Sequence, residues 1–433
     1  MTLPHIRSLC LVLLLGIAPQ VSHAQSVLSV ADKIDIVFIA LSAILVFFMQ
    51  AGFALLESGM VRAKNTINVM MKNYVDLCVV MLVFWLFGYG LMWGDNPSGL
   101  YGTSKFLLNP DDPGELLFLT YQTMFAATAA TIVSGALAER INFGSYILIS
   151  VLMSAIIYPV FGSWAWAEGG WLKEAGFIDF AGATVVHSTG GWCAFAAAII
   201  LGPRLGRFAN DGSKRPILGH NLTMVALAGF ILWFGWYGFN LGSSGTVDES
   251  TPRVLFNTTM AGAAGGVAGV VTMWIGRQHI LLTSTVVASI GGLVAVTAGA
   301  ATMTPAFAAV TGAVGGVVSV VGINALDKMG VDDAVGAVPC HAFAGFWGTL
   351  AAGLFLEGNM FDPEIIIIQL AGAMSCMLWA FLGALMIFGL VNKIIALRVT
   401  SSTERRGLDF AEHYEIGYPE FQLAAVNPGK QGR

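Results

Sequence analysis

The sequence has 433 residues, of which 56% are hydrophobic and only 11% charged, with a formal net charge of −5. A soluble globular domain carries about 25% charged residues, so an ordinary water-facing surface is excluded, and so is the basic footprint of a nucleic-acid binder. The 52 glycines suit close packing of spanning helices, and the five scattered cysteines, with no Cys-x-x-Cys pair, suggest neither a zinc site nor a disulfide framework.

Taken from its start, the chain opens with a short basic stretch, Met1–Arg7, then an apolar run, Ser8–Ala18. Ser22-His23-Ala24 is a small-residue cleavage motif before Gln25. Residues 1–24 therefore read as a cleavable signal peptide, the apolar run being too short for a spanning helix. That reading starts the mature chain outside the cytoplasm and points to a Gram-negative bacterium.

A membrane span needs about 20 mostly apolar residues. Stretches free of Asp, Glu, Lys and Arg run over 36–56, 77–94, 116–138, 141–167, 180–203, 216–247 and 254–276. The stretch 278–326 holds two spans with a break at Thr302–Pro305, and 334–356 and 365–392 follow. The expected fold is thus an all-α integral membrane protein with eleven transmembrane helices. The inside loops would carry Arg62, Lys64, Arg140, Arg204, Arg207, Lys214, Arg215, Arg277 and Lys328, and the outside loops only Lys105, Lys173 and Arg253. This bias orients the chain with its N-terminus out and its C-terminus in. The expected domains are a signal peptide (1–24), a membrane domain (25–397) and a polar cytoplasmic tail (398–433). The eleventh span has 28 charge-free residues, and at 1.5 Å per residue it would reach about 42 Å, so it must tilt or project.

Ten of these spans divide into two sets of five that begin on opposite sides, the condition for an inverted-topology repeat. Gly182-Ala183-Thr184-Val185-Val186-His187 on the fifth span has an echo in Gly336-Ala337-Val338-Pro339-Cys340-His341 on the tenth. A pseudo-two-fold would bring the two imidazoles together near mid-membrane. An ionisable group inside a membrane is rare and usually faces a cavity or the bundle interior. The plainer alternative for each is a neutral His satisfied within the bundle. Two at equivalent places favour a lumen lined by imidazoles that donate, accept and pass protons. Two ligands are too few for a metal, and no cofactor is expected. Asp179, before the fifth span, reads first as an N-cap; the same carboxylate would also attract a cation. Trp164, Trp166, Trp171, Trp233, Trp236, Tyr237 and Phe239 lie near the outer face, either as an interfacial belt or as a cage for a small cation.

These segments resemble the ammonium transporter (Amt/Mep/Rh) family, of bacterial Amt type. Asp179–His187 is similar to its signature, as are Gly135–Arg140, Gly235–Asn240 with Gly242-Ser243, Asp332–His341 and Val61–Asn65. The resemblance runs from about Asp35 to Tyr418. It implies a homotrimer in the bacterial inner membrane, with one pore per subunit. It further implies an outer site for ammonium made by Trp166, Ser243 and Phe125 and shaped by Asp179. Phe125 and Phe239 would be the stacked gate, His187 and His341 the twin histidines, and Thr297 a polar residue lower in the path. Tyr121, Ala183 and Ala298 depart from the family's usual residues. The Glu404–His413 tail resembles the family's, which implies cross-talk between subunits and a cytoplasmic PII-type signalling partner.

The expected mechanism is recruitment of the cation outside, deprotonation near the gate, and passage of ammonia past the histidines, with the proton following them to give net uptake. The rivals are an ammonium sensor of the same fold, for which the tail after Arg398 is short, and a passive channel for ammonia, methylamine or carbon dioxide. An intramembrane enzyme is not expected, because no nucleophile–base pair or metal set is apparent.

Overall fold

The computed structural model describes residues 29–209, 211 and 213–419; the expected signal peptide and the last residues of the tail lie outside them. The chain divides at Ile34, and Ser29–Ile34 belong to a short leading unit in which Asp32 and Ser29 cap each other reciprocally. Everything below concerns the unit that begins at Asp35.

Among the described residues the protein is helical and has no β-strand, only two isolated bridges, Ile141–Arg398 and Phe208–Lys214. Among the described residues, eleven helices of fifteen or more residues follow in chain order, apart from the single turn Trp171–Glu174. They are α1 Val30–Met60, α2 Ala63–Trp93, α3 Pro113–Ala136, α4 Phe143–Ala165, α5 Ala183–Leu201, α6 Leu222–Ser244, α7 Thr251–Ile275, α8 Leu282–Val296, α9 Pro305–Lys328, α10 over 338–354 and α11 Pro363–Ile394. Among the described residues nine helices are long and apolar enough to cross a membrane; α8, of 15 residues, and α10 are shorter. Each helix overlaps one of the charge-free runs, and nine of the eleven expected spans have spanning length and composition among the described residues. The Thr302–Pro305 break falls between α8 and α9. Helix α11 has 32 residues, about 48 Å at 1.5 Å each, and one side of it shows Ile367, Leu370, Met374, Leu378, Leu382, Met386 and Leu390. Such a stripe has no use in water and suits lipid.

Local signals set the helix starts. Asp112, Asn142, Asn221 and Asp362 each accept a backbone N–H two or three residues on, and Pro113 and Pro363 occupy first turns whose N–H groups would have no partner.

One boundary departs from expectation. The second span was expected over 77–94, but α2 begins at Ala63. Its added turns carry Asn68, Lys72, Asn73 and Asp76, all buried. The Lys72 ammonium donates to the Ser134 carbonyl (3.0 Å) and lies 5.2 Å from the Tyr146 ring centre, while Asp76 accepts from the Tyr146 hydroxyl. Polar partners from α3 and α4 make these charges tolerable inside the bundle, so a charge does not end a span here.

At the other end of α5 from Asp179, charged groups knit the loops. Arg62 binds Glu139 through its amide (2.6 Å) and Nε (2.7 Å). The buried Arg140 donates to the carbonyls of Gly202 and Asp332 (2.8 and 2.6 Å). Arg204 forks onto Asp332 (2.8 and 2.9 Å). The Gly135–Arg140 and Val61–Asn65 segments are therefore structural ties.

The tail joins the same region. A short helix, α12 Ser401–Arg406, follows α11. Glu404 accepts from the Leu205 amide, Asp409 from the Asn68 amide (2.8 Å), and Glu412 from the Asn68 side chain (2.9 Å) and the Phe143 amide. Acidic groups thus meet the starts of α2 and α4, where free N–H groups favour negative charge. Burial raises the Asp409 and Glu412 carboxyls above their ordinary range, and backbone N–H donors work against that rise.

Candidate functional site

The site is built from two helix starts that repeat one another. Asp179 Oδ1 accepts from the Gly182 amide (3.1 Å), and Oδ2 from the amides of Thr184 and Val185 (3.0 and 2.8 Å). These are the free donors of a helix start, so the carboxylate caps α5. Gly182 turns the chain into the helix at φ 105°, a left-handed value glycine adopts readily. Asp333 treats α10 alike: Oδ1 accepts from the Gly336 amide (3.0 Å), at φ 77°, and Oδ2 from the Val338 amide (2.7 Å).

Both helices then open with a π-helical segment, Ala183–Ser188 and Val338–Phe343, and each segment holds the histidine. Wide turns of this kind are rare and concentrate at functional positions. Four residues past each histidine comes a glycine, Gly191 or Gly345. A Cβ on Gly191 would stand 2.2 Å from the Ala342 nitrogen, and one on Gly345 2.6 Å from the Ala183 carbonyl oxygen. Only glycine permits this crossing, which stacks His187 on His341 with ring centres 5.2 Å apart and planes 23° apart.

The stack continues toward the Asp179 end. Phe239 lies 5.2 Å from His187, and Phe125 lies 4.1 Å from Phe239 at 24°. Four rings from α3, α5, α6 and α10 therefore form one column. Trp236 flanks it, parallel to His187 at 4.9 Å. The Trp236 indole donates to Thr297 Oγ1 (2.9 Å), and that hydroxyl donates to the Leu293 carbonyl (2.7 Å). Thr297 thus stands behind Trp236 with its hydroxyl engaged, and reaches the histidines through the indole.

Beyond Phe125 the column meets a cavity of about 230 Å³, lined by Trp166, Ser243, Asp179, Tyr121, Trp93 and Phe125 itself. The Trp166 indole donates to the Asp179 carbonyl (2.7 Å), which fixes the ring. Ser243 and Tyr121 both donate to the Phe239 carbonyl (2.9 and 2.8 Å). Their hydroxyls thereby anchor the backbone of a column ring and keep lone pairs to offer a hydrogen-bond donor. The aromatic faces around them suit a small cation.

The histidines have hydrogen-bonding capacity the protein does not use. Among the described residues, neither ring nitrogen of His187 and not Nδ1 of His341 has a partner. Leaving such an atom buried and unpaired costs about 1–3 kcal/mol, so these nitrogens could take up hydrogen bonds from a small partner that donates or accepts.

Trp166, Ser243, Asp179 and Phe125 thus line the cavity, Phe125, Phe239, His187 and His341 form the column, and Thr297 stands behind Trp236, whereas Trp164, Trp171, Trp233 and Tyr237 belong to neither. Of two further residues, Glu57 was not singled out in the sequence and Trp236 was named without this place. Trp236 was read among the outer aromatic residues, as belt or as cation cage, and nothing in its setting on α6 showed that it faces His187. Glu57 closes α1 and, with Phe53 and His341, lines a second cavity of about 20 Å³ at the far end of the column.

Comparison with known proteins agrees over nearly the whole chain. The profile of the Ammonium Transporter Family matches residues 37–418. An ammonium transporter of Archaeoglobus fulgidus, Amt2, is 40% identical over 418 residues, covering 90% of this chain and 89% of its own. A solved structure described as a sensor Amt protein has a TM-score of 0.85 at 39% identity, covering 88% of this chain and 98% of its own. That of Candida albicans Mep2 has a TM-score of 0.78 at 27% identity, covering 86% and 87%.

Proposed function

Because this chain belongs to the ammonium transporter family, and its apolar helices are those of a multi-pass membrane protein, we propose that it takes up ammonium through the Phe125–Phe239–His187–His341 column. The observation that carries the reading is this column, set beneath a cavity of aromatic faces and hydroxyls.

Ammonium and potassium are similar in size, so a pore that measured diameter could not separate them. Ammonium donates hydrogen bonds and can give up a proton. Burying a bare cation among apolar side chains costs tens of kcal/mol in the Born limit, whereas neutral ammonia costs far less. Ammonium is held by Trp166, Ser243 and Phe125 next to Asp179, and loses its proton at the gate. Ammonia then passes Phe125 and Phe239 and moves along His187 and His341. The unpartnered ring nitrogens receive ammonia's hydrogen bonds and pass the proton separately, so that the net movement is of ammonium. Potassium has no proton to shed and stays outside. Thr297 contributes by holding Trp236 against His187.

On this reading the Asp179 end faces the periplasm, the tail faces the cytoplasm of a bacterial inner membrane, and three subunits each carry a pore. A PII-type protein would close the tail-side mouth. The test is the purified protein in potassium-loaded vesicles. Ammonium should evoke an inward current and potassium none. Equilibration of ammonia with no charge movement would overturn the proton route.

The likeness to a sensor Amt protein favours a second reading, in which ammonium is bound and signalled. Saturable ammonium binding with neither current nor ammonia flux would select it.

A further inference from the structure

The transport reading leaves one chemical need unmet. Proton and ammonia part at the gate and must rejoin at the far end of the histidine pair, where the imidazoles stop. The structure puts a carboxylate there. Glu57 and His341 line the same cavity of about 20 Å³, and a water-sized molecule needs some 10–15 Å³. One ammonia or one water therefore fits in the cavity they share.

We propose that Glu57 is the proton acceptor at the inner end of the histidine pair and hands the proton back to ammonia. In the first step His341, protonated through His187, gives its proton to the Glu57 carboxylate across the cavity and returns to neutral imidazole. In the second, the Glu57 carboxylic acid gives that proton to ammonia; ammonium leaves and the carboxylate is restored. One proton crosses with each ammonia, and no other reactant is required.

The surroundings of Glu57 suit this role. The side chain is 2% exposed, too enclosed to be a solvated surface charge. Its partners among the described residues all fall on one oxygen. Oε2 accepts from Asn73 Nδ2 (3.0 Å) and Ser134 Oγ (2.7 Å), which leaves Oε1 without a chain partner. The Lys72 ammonium holds the Ser134 carbonyl (3.0 Å), bringing a positive charge near the carboxylate without capping it. Among the described residues no Lys or Arg forms an ion pair with Glu57. A brace that only tied α1 to α2 and α3 would need neither a spare oxygen nor an ionisable group.

This inference rests on the proposed transport of ammonium with its proton, and the test separates the two. Wild-type protein, Glu57→Gln and Glu57→Asp are placed in vesicles, and ammonium-evoked current is recorded while internal pH is varied. Glutamine keeps an acceptor for Asn73 and Ser134 but cannot carry a proton. The expected result is that Glu57→Gln lowers the current by at least about tenfold and flattens its dependence on internal pH. Glu57→Asp should keep part of the current with a displaced profile. A Glu57→Gln protein with wild-type current and profile would overturn the role of Glu57 and leave the transport reading standing. If glutamine prevents folding, an unchanged profile in Glu57→Asp overturns it equally. A silent wild type would instead bring down the transport reading itself.

Discussion

Asp179 and Asp333 cap two different helices in the same way, each binding the amide of the glycine three residues on and an amide five residues on. In each case the histidine follows eight residues after the aspartate and a glycine twelve after. Shared spacing turns both rings inward at equal distance from their caps, and the two glycines let the helices meet there. The stacking of His187 on His341 is thus a consequence of two copies of one local design.

The Asp179 cap should therefore be structural before it is electrostatic. Replacing Asp179 by Ala removes acceptors for three helix-start amides, which should cost about 1–2 kcal/mol. Asn, which keeps a side-chain oxygen, should recover part of that stability. If Asp179 also draws ammonium into the cavity, Asn will fold well yet need more ammonium for half-maximal current. Thermal unfolding in detergent, read beside a current titration, separates the two effects. An Ala variant as stable as wild type would refute the cap.

The histidines should matter through chemistry. His187→Ala and His341→Ala remove the proton-carrying rings, and each should lower ammonium current by roughly a hundredfold or let potassium carry current through the space left. Unchanged uptake of ammonium and methylammonium in both variants would end their assigned role.

Thr297 offers a subtler probe. Thr297→Val keeps the shape but deletes the acceptor of the Trp236 indole, leaving a buried donor unpaired at a cost of about 1–3 kcal/mol. Trp236 is then free to leave the face of His187. The expectation is a lower melting temperature together with a reduced ammonium current, both restored by Thr297→Ser. A valine variant with full current would mean that the indole does not position the histidine.

How far the sequence discloses this architecture follows from its physics. The helices show because apolar runs of spanning length have few other uses, and the break before Pro305 shows because proline starts α9. The start of α2 does not, since Lys72 and Asp76 look like loop charges until their partners in α3 and α4 are known. The same reasoning hid Glu57, which stands beside the first loop in sequence yet lines a cavity with His341 in space. His187 and His341 are legible because a titratable ring in a charge-free run is conspicuous. The contacts of Trp236 with Thr297 and His187 are not, because tryptophan and threonine are common in membrane helices and only the tertiary packing shows which groups meet.

The lock at the tail end gives a prediction about acid. Arg204 reaches Asp332 with its amide, Nε and a terminal nitrogen, all at 2.8–2.9 Å, and both side chains are buried. Burial alone would raise the Asp332 carboxyl, but the hydrogen bonds and charge of Arg204 prevail and hold it well below the usual carboxylate range. A carboxyl lowered by folding adds stability that is fully present above its unfolded value and is lost only as pH falls through the folded one. This lock should therefore hold between pH 7 and 5. Asp332→Asn leaves the buried Arg204 guanidinium with only Glu139, 3.8 Å away, as counter-charge and should cost about 3 kcal/mol over that whole range. Melting temperatures of wild type and variant, taken at both pH values, should differ by the same amount. A gap that closes on going from pH 7 to 5 would show that Asp332 protonates in that interval and that Arg204 does not hold it.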